Sequence, residues 1–453
     1  MSRRSRRREA AADETATVEG LTREGAGVIR AGKAVFVGGA LPGERVRFRR
    51  RRSHRRHDEG ELLEILQAAP ERVAPRCAHF GVCGGCALQH LAPEAQIEAK
   101  QAELLEHLQR LGHVVPQQWL PPLRGPVWGY RRRARLGCKY VLKKERVLVG
   151  FRERLAPYIA DVHRCEVLAD PVGGLIAPLA ELLSELSIRQ RLPQIEVAVA
   201  DNAVALVLRV LEAPSCEDLR RLQSFSATHR VRFYLQPGGL DSVQELIDPL
   251  HGPGEPLCYH LPAFDLRLEF APTDFLQINA AVNEALVSRA VDLLEIAAGS
   301  VVLDLYCGLG NFTLPLARRA ARVIGVEGDA QLVQRARRNA QLNGLTNIEL
   351  HAADLSQAGP PEPPWLRAPC THVLLDPPRA GASAMLGPIA RLRPQCVLYI
   401  SCHPGSLARD VGQLVHEHGM ILRAAGVLDM FPHTTHVESL ALLSPGAHRG
   451  SRA

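Results

Sequence analysis

The stretch "SVVLDLYCGLGNFTLPLARRAARVIGVEG", residues 300–328, sets an apolar run, a glycine-bearing turn, a helix-forming segment and a second apolar run in sequence. That order predicts strand, turn, helix, strand, the repeating unit of a parallel sheet. Asp304 falls at the first strand's end, and Gly308 and Gly310 fall in the turn, where a missing side chain lets backbone approach a ligand. Glu327 closes the second strand at the spacing of a carboxylate that holds both ribose hydroxyls. The rhythm continues on both sides. Helices are expected over 281–297, 330–344, 381–392 and 406–419, and strands at "IELHAADL", "THVLLDPP" and "CVLYISC". Residues 271–453 therefore read as a Rossmann-like, doubly wound parallel sheet with ligands at the carboxyl ends of its strands.

The ligand's chemistry is narrowed by what accompanies the glycines. There is no third glycine of a pyrophosphate fingerprint and no phosphate-binding lysine, so a nucleoside without a diphosphate fits better than NAD or ATP. That points to S-adenosylmethionine. In "LLDPPRAGA" (374–382), Asp376, Pro377 and Pro378 end the fourth strand, where methyltransferases orient the target base. Enzymes that methylate exocyclic base nitrogens usually follow the prolines with a stacking aromatic, but here Arg379 follows. The next strand end carries Cys402, expected beside Asp376 and facing the same crevice. A free cysteine usually packs as a small hydrophobe. At this strand end a nucleophile is the better reading.

The N-terminal part is of another kind. Residues 1–57 hold 16 Lys and Arg against 6 Asp and Glu, a net of +10, and the other 396 residues sum to −3. Residues 1–15 read as a disordered basic tail. Residues 16–72 read as short strands split by glycines, a small OB-like barrel of the kind that binds oligonucleotides. The run "RFRRRRSHRRH" (47–57) is expected to contact phosphates. Residues 73–270 form a mainly β central region, opened by "RCAHFGVCGGCALQH" (76–90) and a helix over 93–112 with an apolar stripe of Ile97, Leu104, Leu108 and Leu111. Within it, "GYRRRARLG" (129–137) reads equally as a second phosphate-contacting face or a wet sheet face. Cys77, Cys83 and Cys86 have C-x5-C-x2-C spacing, which suits zinc or an iron–sulfur cluster equally. No apolar run is long enough to span a bilayer and the N-terminus lacks a secretory pattern, so a cytoplasmic protein is expected.

With "LDLYCGLGNFTLPLA", "LLDPPRAGA", "YISCHPGSLARD" and "DMFPHTTHVESLALL" in this order, the last domain resembles the RNA uracil-C5 methyltransferases. The cysteine cluster and the basic N-terminal module extend the likeness over nearly the whole chain, to the subfamily that acts on 23S rRNA and whose barrel is of the TRAM type. The resemblance implies that Cys402 is the nucleophile and that Glu438 is the catalytic glutamate. It implies that Gln277, Tyr306, Asn311, Glu327, Asp354 and Asp376 contact S-adenosylmethionine. It also adds Cys165 to Cys77, Cys83 and Cys86 as the ligands of a [4Fe–4S] cluster with a structural or RNA-positioning role, in a monomer. His403 and Asp354 stand where the family often has Asn. A tRNA uracil-C5 methyltransferase is the nearest alternative, and those enzymes generally lack both the barrel and the cysteine cluster. A non-catalytic RNA-binding iron–sulfur protein is the alternative from another class.

The chemistry has its own logic. Uracil C5 is a poor nucleophile towards a sulfonium methyl until a thiolate adds at C6 and leaves carbanion character at C5. The helix start after Cys402 is expected to favour the thiolate. Asp376 is expected to accept a hydrogen bond from the uracil edge, and Glu438 to take the C5 proton. The target must be unstacked to reach such a pocket.

Overall fold

The computed structural model describes residues 12–30, 32–247, 252–357 and 363–446. The chain divides into two compact units, one made of the residues up to Gln96 with Glu153–Ala156 and His433–Thr435, the other of the remainder.

The first unit holds β1 (Asp13–Thr17), β2 (Gly20–Leu21), β3 (Ala26–Ile29), β4 (Ala34–Gly38), β5 (Arg45–Ser53) and β6 (His57–Gln67), in the order β1-β5-β6-β4-β3-β2. Alternation along the strands sends Val35, Val37, Val46 and Phe48 into its core with Val18 and Ile29. The tail expected over 1–15 lies outside the described residues as far as residue 11, and the first strand already starts at Asp13. The arginines of the run have carboxylate neighbours within the sheet. Arg47 pairs with Glu64, Arg49 with Asp13, Arg50 with both Glu14 and Asp58, Arg51 with Glu61 and Arg52 with Glu59. Strands β1 and β6 flank β5 and supply those carboxylates, so the charge is largely neutralised within the sheet. Arg55 and Arg56, exposed in the β5–β6 turn, take part in none of these pairs.

The second unit has three sheets, one of them a two-stranded hairpin. Helix α1 (Pro93–Arg110) sends Ile97, Leu104 and Leu108 into the core of the largest sheet, whereas Leu111 of the expected stripe is 55% exposed. After β7 (Gln118–Trp119) come β8 (Arg133–Val141), β9 (Arg146–Gly150), α2 (Ile176–Glu185), β10 (Gln194–Val199), β11 (Val204–Arg209), α3 (Cys216–His229), β12 (Val231–Gln236) and β13 (Gln244–Glu245). The central sheet runs β13-β12-β11-β10-β8-β9. Arg132 and Arg133 of 129–137 are half-buried on protein partners, whereas the Arg135 side chain stays 70% exposed. Arg132 donates to the Val199 carbonyl and pairs with Asp201, Arg133 donates to the Pro272 carbonyl, and Arg135 pairs with Glu196. Arg133 thus binds this sheet to the chain that enters the catalytic domain.

A hairpin of β14 (Leu257–Leu261) and β15 (Leu266–Phe270) leads through α4 (Ala280–Leu293) into the alternating region. There follow β16 (Val301–Leu305), α5 (Thr313–Ala317), β17 (Arg322–Glu327), α6 (Ala330–Leu342), β18 (Ile348–Ala352), α7 (Pro364–Arg367), β19 (His372–Leu375), α8 (Ser383–Arg391), β20 (Cys396–Ser401), α9 (Pro404–His416), β21 (Met420–Leu428) and β22 (Glu438–Pro445). The sheet order is β18-β17-β16-β19-β20-β22-β21-β7. Five strands are parallel as expected, but β22 inserts antiparallel beside β20, so the sheet is mixed. An antiparallel strand on an otherwise parallel sheet is common because a hairpin return needs no crossover helix.

Candidate active site

The register between β20 and β22 builds the reacting end of the site. Ser401 pairs with Ser439, so Cys402, just past β20, faces Glu438 at the start of β22. On the other side β19 runs parallel to β20 and ends just before Asp376. Three strand ends thus bring Asp376, Cys402 and Glu438 to one cavity of about 540 Å³. The same cavity is lined by Gln277, Tyr306, Asn311, Glu327 and Asp354, which brings all eight catalytic and cofactor candidates of the catalytic domain together.

At the glycine end, Gly308 and Gly310 have φ of 56° and 102°, in the region that favours glycine. Tyr306 carries a φ of 65°, a strained value for an aromatic residue. The turn is held from below by Asp304, fully buried, which accepts a hydrogen bond from the Thr313 hydroxyl at 2.5 Å while burial pushes its carboxyl up to about 7. Glu327 is fixed at both oxygens, by the Gly308 N–H at 3.0 Å and the Asp329 N–H at 3.0 Å. Asp354 accepts from the Ser356 N–H, and hydrogen bonding to Ser356 holds its carboxyl below the usual range. Asn311 is locked by neighbours that sequence reasoning missed. Its Oδ1 accepts from the Tyr259 hydroxyl at 2.9 Å and from Asn283, and its Nδ2 donates back to Asn283. These partners lie 52 and 28 residues away, so only the folded chain reveals them. Phe275, 70% exposed and also lining the cavity, is a further aromatic that the strand-end logic passed over.

The residues suit a nucleoside that carries positive charge. Among the described lining residues Arg132 is the sole lysine or arginine, and it is paired with Asp201, so nothing there would neutralise a diphosphate. Acidic side chains dominate the polar lining.

Burial, then the charges of Glu438 and Asp376, push the Cys402 thiol up to about 11, opposed by Arg379. At the N-terminus of α9 the His403 ring accepts the Ser406 N–H at 3.1 Å. Asp376 is half-buried and lines the cavity, and burial raises its carboxyl well above the usual range, helped by Glu438 and Asp304.

In the first unit, Cys77, Cys83 and Cys86 lie half-buried on consecutive turns. The Gly85 N–H points to the Cys83 sulfur at 3.4 Å, an arrangement that suits a thiolate ligand. In the second unit Cys165 is half-buried, and its N–H donates to the Gly173 carbonyl at 3.0 Å. The donor set, thiols without disulfides, suits iron or zinc.

A glycine turn at the first strand, a carboxylate closing the second and an acidic cavity over the strand ends define a methyltransferase of the S-adenosylmethionine-dependent class. The family model of tRNA (uracil-5-)-methyltransferases matches residues 264–445. A 23S rRNA (uracil(1939)-C(5))-methyltransferase RlmD of Alkalilimnicola ehrlichii is 50% identical over 443 residues, 98% of each chain. The protein of the same name from Nitrosococcus oceani is 50% identical over 431 residues, 95% of each chain. The chain belongs to the 23S rRNA (uracil-C5)-methyltransferase family. Among solved structures, the Pyrococcus abyssi tRNA (uracil-54, C5)-methyltransferase in complex with S-adenosyl-L-homocysteine matches in fold, with a TM-score of 0.73 at 23% identity over 95% of this chain and 99% of that one. Among the described residues no helix is long and apolar enough to cross a membrane.

Proposed function

We propose that this protein transfers a methyl group from S-adenosylmethionine to C5 of one uridine in 23S rRNA, through a covalent bond between Cys402 and uracil C6. The observation that carries the reading is the meeting of Cys402 with Glu438 across the β20–β22 register, in a cavity that also holds Asp376 and the cofactor candidates. Ribosomal rather than transfer RNA is favoured by relatives at 50% identity along the whole chain, barrel and cysteine cluster included.

Cys402 releases its thiol proton to solvent and, as the thiolate, adds to C6, and the C5–C6 π pair becomes an enolate. C5 then attacks the methyl carbon, and the broken carbon–sulfur pair returns to the donor's sulfur. Glu438 takes the C5 proton, the C–H pair rebuilds the double bond, and the C6–S pair leaves with Cys402. Asp376 orients the base by a hydrogen bond to the uracil edge. The cofactor's sulfonium supplies the methyl group and the positive charge that an acid-lined cavity lacks. Gln277, Tyr306, Asn311, Glu327 and Asp354 hold the donor, and Phe275 at the cavity mouth offers a stacking face for an extruded base.

For the N-terminal sheet we propose an OB-like, TRAM-type barrel that holds RNA through Arg55, Arg56 and the residues before Asp13, not through the paired arginines of β5. Cys77, Cys83, Cys86 and Cys165 are proposed to ligate a [4Fe–4S] cluster, with a structural role and no part in the chemistry. A monomer acting in the cytoplasm completes the reading. Mass-spectrometric mapping of 5-methyluridine in 23S rRNA tests it. Cells lacking the gene should lose one such site, and the wild-type gene should restore it where Cys402→Ala does not. An unchanged 23S pattern with a lost tRNA site would transfer the reading to the tRNA enzymes.

A further inference from the structure

We propose that His436 is the positioning residue of the elimination step, aiming Glu438 at C5, with Arg379 fixing the imidazole's tautomer. This rests on the covalent route proposed above. His436 Nε2 lies 3.5 Å from Glu438 Oε1, and its Nδ1 lies 3.3 Å from Arg379 Nη2. The ring meets the Phe431 ring edge-on, centroids 4.4 Å apart at 68°, which limits its rotation. Nitrogen, carboxylate oxygen and the Cys402 sulfur all lie within 4.8 Å of one another.

A guanidinium can only donate, so the contact with Arg379 requires Nδ1 to accept. The ring's proton then sits on Nε2, directed at Glu438. Glu438 is 8% exposed, so few groups besides His436 can fix the rotation of its carboxylate. A donor on its outer flank holds one oxygen and leaves the second for the base. The 3.5 Å separation is long for a hydrogen bond, and such contacts in ligand-free sites tighten when substrate binds. The arrangement also accounts for Arg379, which stands where other base methyltransferases stack an aromatic. In the step itself the C5–H pair forms the C5–C6 double bond, the C6–S pair leaves with Cys402, and the proton passes to Glu438. His436 exchanges no proton; it sets the acceptor.

The test uses full-length protein, an RNA fragment containing the target uridine, and cofactor labelled in its methyl group. His436→Phe should lower turnover about tenfold or more and should accumulate a denaturation-resistant protein–RNA adduct that carries the label. Arg379→Met, an exposed position, should give the same adduct more weakly and guards against misfolding of the first variant. His436→Gln, whose amide can donate to Glu438, should recover most of the turnover and shed the adduct. A residue that merely supports the fold would lower turnover without trapping a methylated intermediate. Glu438→Gln is run alongside. If it traps the adduct while His436→Phe and Arg379→Met do not, the role of His436 is overturned and the covalent route stands. If none of the three traps it, the covalent route falls, and this inference with it.

Discussion

Replacing Lys100 by methionine leaves Asp429 buried without its partner. The two are 2.8 Å apart and each side chain is 3% exposed, and Lys100 also donates to the Phe431 carbonyl at 3.0 Å. This pair anchors α1 to the segment that leads into β22 and Glu438. A stranded charge of this kind escapes by changing protonation, which caps its cost. At pH 7.5 neutralising an aspartate costs at most about 5 kcal/mol, and a lysine about 4 kcal/mol, within the range for breaking a buried pair. Asp429→Asn should be the milder change, because burial already lowers the Lys100 pKa and Glu438 and Glu103 still attract its charge. The pH slopes carry the test. In Lys100→Met, folded Asp429 has the raised pKa and binds a proton that the unfolded chain does not, so the penalty shrinks by about 1.4 kcal/mol per unit as pH falls. In Asp429→Asn, folded Lys100 has the lowered pKa and has lost a proton that the unfolded chain keeps, so the penalty shrinks at the same rate as pH rises. Urea unfolding of both variants and the parent at pH 6.5 and 8.5 measures this. The gap between the variants should swing by about 5 kcal/mol over that range. Slopes of the same sign would refute the reasoning.

The reactivity of Cys402 should follow its neighbours' charges. Glu438→Gln should speed alkylation of Cys402 by iodoacetamide at pH 8, and Arg379→Ala should slow it, both read by peptide mass spectrometry. Charge-neutral glutamines at Arg55 and Arg56 should together flatten the logarithmic salt dependence of rRNA binding by about 1.4 to 1.8, while the same change at Arg49 and Arg51 should alter it far less. Protein purified without oxygen should be brown and carry about four irons per chain, and chelation of that iron should lower solubility before it alters Cys402 reactivity; stoichiometric zinc without iron would sink the cluster assignment.

What could be read in advance was whatever local patterning dictates. Gly308, Glu327, Asp376 and Cys402 all sit at or just past ends of strands in a regular alternation, so their meeting over one crevice follows from the rhythm of the chain. Glu438 was different. Its approach to Cys402 depends on β22 running antiparallel into the sheet, which no periodicity in "VESLALL" announces. The pairing of the β5 arginines was not legible, because composition cannot show that Asp13, Glu14, Glu61 and Glu64 come alongside in neighbouring strands. Gly112 reads as a helix stop, yet a side chain there would lie 2.5 Å from the Ala408 carbonyl, and one at Gly412 would lie 2.7 Å from the Gly112 carbonyl. The two glycines let the end of α1 close onto α9, a contact between residues 300 apart.

The nucleophilic role of Cys402 is tested most directly by an RNA fragment with 5-fluorouridine at the target position. Fluorine at C5 cannot leave as a proton, so an enzyme that adds a thiolate at C6 and methylates C5 is trapped on its product. After incubation with labelled cofactor, protease digestion and mass spectrometry, one peptide should carry the methylated fluorinated nucleotide, bonded at Cys402, and Cys402→Ala should give no such species. A bond to any other residue, or methyl transfer to ordinary RNA by Cys402→Ala, would contradict the account.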